Sequence, residues 1–315
     1  MKKKALIYGI TGQDGSYLAK HLLSKHYNVS GISRKKNYIN LNKLKIKKKI
    51  NLFVFKQFNT KKIFNLLKKN FSEIYFLAGQ SSVKNSFEKR LETYESQSLP
   101  LKIILDYIVS QKGKKTKFLY AGTSEMFGNI NKKKRLSEIS KKKPISPYGM
   151  SKLIGYEIIK SYRSIYNIPV CTAILFNHES DLRSNNYVIK KIAKYVSELN
   201  KNKKNVLKLG NINIKRDWGW GPEYMIGCSK ILRSKKIDDY IIATGKTVSL
   251  REMIYYFFKQ YNLSWNRFVK IEKNNFRKYE IAENYANINK LKKNINWFPK
   301  FKYRDVINKL SKTEL

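Results

Sequence analysis

Short apolar runs alternate along the chain with stretches in which apolar residues recur every third or fourth position. The runs "ALIYGI" (5–10), "NVSGIS" (28–33), "INLFVFKQ" (50–57), "SEIYFLAG" (72–79), "TKFLYAG" (116–122) and "PVCTAILF" (169–176) have the length and content of buried strands. Between them, "SYLAKHLLSKH" (16–26) sets Leu18, Leu22 and Leu23 at helical spacing, and "KKIFNLLKKN" (61–70) and "LPLKIILDYIVSQK" (99–112) read the same way. "SPYGMSKLIGYEIIKSYRSIY" (146–166) predicts a long helix with Pro147 near its start, where a missing N–H costs little. Such regular alternation implies right-handed crossovers and an α/β, Rossmann-type fold with a doubly wound parallel sheet.

Beyond Phe176 the pattern loosens into helical "VIKKIAKYVSELN", strand-like "VLKLG" and "YIIATG", and helical "LREMIYYFFKQY". This part predicts a smaller mixed α/β substrate-binding region over the C-terminal edge of the sheet, where such folds bind ligands. The expected division is a cofactor domain over 1–176, rejoined by part of 205–245, and a mainly substrate-binding region over 177–315.

The 42% hydrophobic and 13% aromatic content exclude a disordered tail. No stretch reaches the ~20 apolar residues of a membrane span, and the apolar run in "MKKKALIYGITGQDG" is too short for a secretory signal. A cytoplasmic protein without membrane association is therefore expected. The formal charge of +44 raises the question of a polyanionic partner. Its lysines fall in short clusters between apolar segments, such as "KLKIKKK" (43–49) and "NKKKR" (131–135), with no basic stripe interleaved with aromatics. A bias toward Ile, Asn and Lys from AT-rich coding accounts for them better than nucleic-acid binding. Cys171 and Cys228 form no disulfide framework, and His21, His26 and His178 are too scattered to hold a metal.

Three features carry chemistry. In "YGITGQDGSYL", Gly9, Gly12 and Gly15 punctuate a strand-to-helix turn, the arrangement that lets backbone N–H groups approach a pyrophosphate. The next strand ends "GISRKKN", with no acid to take a ribose 2′-hydroxyl and with Arg34 suited to a 2′-phosphate, so NADP is expected over NAD. Tyr148 and Lys152 lie one turn apart on one helix face, where an ammonium would lower the phenol pKa and make a usable base. Thr123 and Glu125 in "GTSEMFG" follow an apolar strand that has no packing need for them.

In this order the features resemble the extended short-chain dehydrogenase/reductase family and, within it, the GDP-mannose 4,6-dehydratases. The resembling segments run from end to end: "GITGQDGSYLAKHLL", "EIYFLAGQSSVKNSFE", "GTSEMFG", "SPYGMSKLIGYEIIKSYR", "ILFNHES", "LKLGNINIKRDWG", "YIIATG" and "INWFPK". The resemblance implies a hydro-lyase acting on a nucleotide sugar, GDP-mannose, in a homodimer or homotetramer. Its catalytic set would be Thr123, Glu125, Tyr148 and Lys152, with Tyr148 taking the 4-hydroxyl proton and Glu125 the C5 proton. For NADP it implies Gly9, Thr11, Gly12, Gln13, Asp14 and Gly15 at the turn, Arg34 at the 2′-phosphate and Gln57 near the adenine. Leu77, Ala78, Gln80 and Ser81 would line the cleft, with His178 and Arg183 approaching the same cofactor. Ser86, Asn177, Lys191, Arg216, Arg277 and Glu280 would contact the sugar nucleotide, while Trp218, Trp220 and Trp297 would serve packing.

The chain departs from the family pattern at Gln57 (usually Asp), Ser82 (usually His), Phe127 (usually Tyr) and Asn296 (usually Gly). Two rival readings stay open: another nucleotide-sugar epimerase, reductase or dehydratase on this scaffold, and a basic nucleic-acid-binding protein without activity.

Overall fold

Because side chains alternate along a strand, each apolar run covers both faces of a sheet at once. In the computed structural model, which describes residues 2–55, 59–111, 116–129, 135–199 and 205–314, the six runs form strands β1 (Lys4–Tyr8), β2 (Asn28–Ser33), β3 (Asn51–Val54), β4 (Glu73–Phe76), β5 (Lys117–Thr123) and β6 (Val170–Leu175). Short strands β7 (Asn177–Glu179), β8 (Leu207–Leu209), β9 (Lys215–Arg216) and β10 (Trp218–Trp220) follow, and β11 (Tyr240–Ile242) returns to the sheet. The sheet order is β3-β2-β1-β4-β5-β6-β11, with every pair parallel, as the alternation predicts.

The helices between strands are α1 (Gln13–Ser24), α2 (Ile39–Lys43), α3 (Thr60–Leu67), α4 (Val83–Glu88), α5 (Arg90–Ser110) and α6 (Pro147–Tyr166). Beyond them come α7 (Val188–Leu199), α8 (Gly221–Arg233), α9 (Leu250–Lys259), α10 (Asn289–Ile295) and α11 (Tyr303–Glu314). Ala5, Ile7, Leu119 and Ala121 face a core shared with Leu18 and Leu22 of α1 and with Cys228 of α8. Their neighbours Leu6, Tyr8, Phe118 and Tyr120 face the opposite core, with Ile63 of α3, Ile104 of α5 and Ile159 of α6. Cys171 and Cys228 are both buried free thiols. A separate apolar cluster joins α7, α9 and α11 through Ile192, Phe257, Phe258 and Ile307. Among the described residues no helix is long and apolar enough to cross a membrane.

Helix α5 begins at Arg90, nine residues before the Leu99 start that the apolar pattern predicts, and Pro100 lies inside it. Its early turns are polar on the inside because they face a loop rather than the core. The Thr93 and Gln97 side chains are buried there, and the Gln97 amide reaches the Gln80 carbonyl at 3.4 Å. A helix buried through amides and hydroxyls leaves no apolar period to read.

The edge strand β11 is anchored by charge. Asp239, 4% exposed, accepts from Arg163 Nη1 at 2.8 Å and Nη2 at 2.6 Å, and from the Thr172 N–H at 2.7 Å. One carboxylate thus ties α6, β6 and β11 together. Asp239→Ala, which takes the bidentate partner from Arg163 and the acceptor from the Thr172 N–H, is expected to lower unfolding free energy by about 3 kcal/mol. Asp239→Asn should lose less, and urea denaturation of both variants measures the difference.

Candidate active site

The glycine turn closes β1 onto α1. Gly9 has φ +92°, and a side chain there would meet the Ala78 Cα at 2.8 Å; a Cβ on Gly15 would sit 2.3 Å from the Gly9 carbonyl oxygen. Gly12 caps α1 with no side-chain hydrogen bond, so the first-turn N–H groups and the positive helix end face outward. These residues fit a dinucleotide pyrophosphate. Thr11 is held from behind, its carbonyl accepting from Asn40 Nδ2 at 3.0 Å. Arg34 stands exposed beyond β2, its Nη1 3.1 Å from Glu92 of α5. Leu77 continues β4 by donating its N–H to the Tyr8 carbonyl at 2.9 Å. Gln80 folds back on Ser82, with Nε2 2.8 Å from the Ser82 carbonyl. The Ser81 hydroxyl meets the Tyr187 hydroxyl at 2.9 Å. Gln57 lies outside the described residues.

His178, on β7, reaches back across the turn. Its Nδ1 lies 2.8 Å from the Phe176 carbonyl and its Nε2 3.0 Å from Asp14 Oδ1, which Gln13 Nε2 also approaches at 2.9 Å. Both partners of the ring accept, an arrangement that favours the doubly protonated imidazolium. Burial opposes both charges, but the pairing outweighs it: His178 is raised above its ordinary 6.5, and Asp14 is held well below 3.8. His178 therefore fixes the first turn of α1. Arg183 stacks on the Tyr187 ring at 3.5 Å, with its Nε 3.5 Å from the buried Glu179 carboxylate.

At the end of β5 the chain turns at once. Ser124–Met126 form a 3-10 turn capped by Thr123, whose hydroxyl accepts from the Glu125 N–H at 3.3 Å. The Ser146 hydroxyl caps α6 by accepting from the Gly149 N–H at 3.0 Å, and a Cβ on Gly149 would meet the Glu125 carbonyl oxygen at 2.8 Å. That close approach sets Tyr148 beside Thr123, whose hydroxyl favours the ionised phenol. The expected lowering of the phenol pKa by Lys152 is not what this geometry produces. Burial pushes Tyr148 above its ordinary 10.0, and the Thr123 hydroxyl opposes that rise only in part. Lys152 instead donates to the Ala121 carbonyl at 2.8 Å, and burial brings its pKa down to about 7. One helix face carries both residues, but a buried ammonium goes to the nearest open carbonyl.

Glu125 also faces a second group. Arg216, on β9 and 3% exposed, has its pKa lowered by burial, with Glu125 and Glu280 opposing and Arg277 adding to the fall. Arg277 Nε stands 3.9 Å from Glu280. Thr123, Tyr148, Glu125, Arg216, Arg277 and Glu280 thus lie in one electrostatic neighbourhood. Asn177 is half-buried on β7, where it pairs with Trp218. Lys191 is exposed on α7 and donates to the Lys208 carbonyl at 3.1 Å. Ser86 is buried and gives its hydroxyl to the Val83 carbonyl at 2.7 Å; Ser82, not Ser86, caps α4.

Sequence reasoning missed Asp217, Tyr187 and Gln97. Asp217 is fully buried and accepts from Thr244 N (2.9 Å), Thr244 Oγ1 (2.8 Å) and Gly245 N (2.7 Å), with burial pushing its pKa up to about 6. It thereby joins "KRDWG" to "YIIATG", segments twenty residues apart that no local pattern links.

A family model described as GDP-mannose 4,6 dehydratase matches residues 6–310. The GDP-mannose 4,6 dehydratase of Dictyostelium discoideum is 35% identical over 98% of this chain and 95% of that relative. That of Drosophila melanogaster is 34% identical over 99% of this chain and 86% of its own length. Among solved structures, dTDP-glucose 4,6-dehydratase from Bacillus anthracis in complex with NAD aligns with TM-score 0.85 at 16% identity, covering 99% of this chain and 96% of that one. RMD from Pseudomonas aeruginosa complexed with NADPH aligns with TM-score 0.81 at 16% identity, covering 99% of each chain. At that identity the two structures speak to fold alone.

The Asp14–His178 pair predicts a pH signature. Asp14, held below 3.8, contributes stability above that pH and loses it in acid; His178, raised above 6.5, contributes below 6.5 and loses it as pH rises through its folded value. Asp14→Asn should therefore lower Tm most between about pH 4 and 6.5, with the gap to the parent narrowing on both sides. A gap that stays constant from about pH 3 to about pH 9 would dismiss the pair as a stabilising element.

Proposed function

The chain belongs to the GDP-mannose 4,6-dehydratase family, and from that premise we propose that this nucleotide-sugar 4,6-dehydratase converts GDP-mannose to GDP-4-keto-6-deoxy-mannose and water with NADP as cofactor. One juxtaposition carries the reading: Tyr148 beside Thr123 where α6 meets the end of β5, with Glu125 two residues after Thr123 and its charge felt by Arg216. Epimerases and reductases on this scaffold need the tyrosine but not the carboxylate.

Bound NADP+ supplies the acceptor that takes hydride from C4 and returns it at C6, so the cycle is redox-neutral. Gly9, Thr11, Gly12, Gln13, Asp14 and Gly15 would hold the pyrophosphate side, and Arg34 the 2′-phosphate. Tyr148 takes the 4-hydroxyl proton. A free phenolate is costly at this half-buried position, so the Thr123 hydroxyl would stabilise the developing charge, while Lys152, its pKa brought down to about 7, is held at the Ala121 carbonyl near the same strand end. The 4-ketone then acidifies the C5 proton, which Glu125 removes before giving a proton to the departing 6-hydroxyl. Arg216 and Arg277 offer planar forks to the sugar-nucleotide diphosphate, with Glu280 and Asn177 beside them.

Residues 1–176 would thus hold chiefly the cofactor and 177–315 chiefly the nucleotide sugar. Exposed Leu91 and Leu99 on α5 and Met150, Ile154 and Ile165 on α6 support assembly as a homodimer or homotetramer.

Purified protein with NADP+ and GDP-mannose should yield the 4-keto-6-deoxy product with no net NADPH. Net NADPH consumption on a keto-sugar, or C5 exchange without water loss, would instead identify a reductase or an epimerase. Glu125→Gln should keep cofactor affinity but abolish C5–H exchange into solvent, lowering kcat by about 10²–10⁴-fold. Tyr148→Phe should block the first hydride transfer. Arg34→Ala should raise KM for NADP by about tenfold or more while leaving that for NAD in place.

A further inference from the structure

A groove of about 820 Å³ opens at the far ends of α1 and α8, beside Tyr240 of the edge strand. His21 and Lys25 line it from α1, Lys230 and Arg233 from α8, and Lys235 and Lys236 from the turn that follows. Five of its eleven lining residues are Lys or Arg, against about one in five along the chain (66 of 315), so compositional bias falls short of explaining the wall. One or two cations at a helix C-terminus answer the helix dipole. Five around one cavity repel one another.

His21 records that repulsion. Burial, then the charges of Arg233, Lys25 and Lys230, bring its pKa down to about 4. Its Nε2 lies 3.4 Å from Arg233 Nη2, where a neutral imidazole accepts. The guanidinium is steadied from behind, with Nε donating to the Ser229 carbonyl at 3.1 Å.

We propose that this groove is a binding site for a small oligophosphate, an anion carrying two or more linked phosphates. Five fixed cations call for several negative charges at short spacing, which a single carboxylate or chloride lacks. Arg and Lys together suit phosphate oxygens, the one as a fork and the other as a point charge. The volume is that of a small-molecule site, roughly 300–1,000 Å³, and the ends of two helices bound it. It is separate from the cofactor cradle: α8 starts at Gly221 beside Gln13, and Arg233 lies twelve residues, roughly 18 Å, further along.

The test uses the full chain with labelled histidines. Inorganic tripolyphosphate should raise the NMR-measured pKa of His21 by about one unit or more, whereas NaCl of equal ionic strength should not. Calorimetry at neutral pH should show the triple variant Lys230→Gln, Lys235→Gln, Lys236→Gln, which changes exposed side chains only, losing at least about tenfold in affinity for binding that moves His21. GDP run in parallel distinguishes the source: tighter binding than tripolyphosphate points to a nucleotide, weaker binding to an inorganic chain, and either supports the site. A His21 response that NaCl reproduces, or a triple variant that binds as the parent does, overturns it.

Discussion

Gly149 approaches the Glu125 carbonyl so closely that a methyl group would sit 2.8 Å from the oxygen, and the rest of the site depends on that contact. It lets the first turn of α6 lie on the end of β5. Tyr148 then meets Thr123, and Lys152 reaches the Ala121 carbonyl one turn deeper. A side chain at that position would lift the helix and part the phenol from the hydroxyl. The Ser146 cap and Pro147 start α6 where the contact requires. Local helix chemistry and catalytic geometry therefore share the same few residues.

Charge is distributed by burial. Among the described residues only Lys152 and Lys190 are buried lysines, while the far scarcer acids supply Glu73, Glu138, Glu179, Asp217 and Asp239 to the interior. Each of Glu73, Asp217 and Asp239 accepts several hydrogen bonds, as a buried carboxylate must. Drift toward lysine at exposed positions costs little, because solvent screens those charges. Loss of a buried acid would strand its donors. A chain of +44 can thus keep an orthodox interior.

Two substitutions at unusual positions follow the same logic. Asn296, where the family usually has Gly, takes φ +48° as the C-cap of α10, and asparagine is the side chain that tolerates that conformation best after glycine. Ser82, where the family usually has His, caps α4 by accepting from the Asn85 N–H at 3.2 Å. Both changes keep the backbone role of the position.

Hydrophobic period and glycine spacing by themselves determined the parallel sheet and the strand-to-helix glycine turn, because each rests on neighbours within a few residues; the Thr123, Glu125, Tyr148 and Lys152 set came from the family resemblance. The polar start of α5 escaped that reading, since its buried face meets Gln80 rather than a core. Only the tertiary structure decided that Lys152 turns to Ala121, that His178 holds Asp14, and that Asp217 joins Thr244. Those choices depend on which buried acceptor lies nearest across distant segments, and desolvation makes the nearest one win.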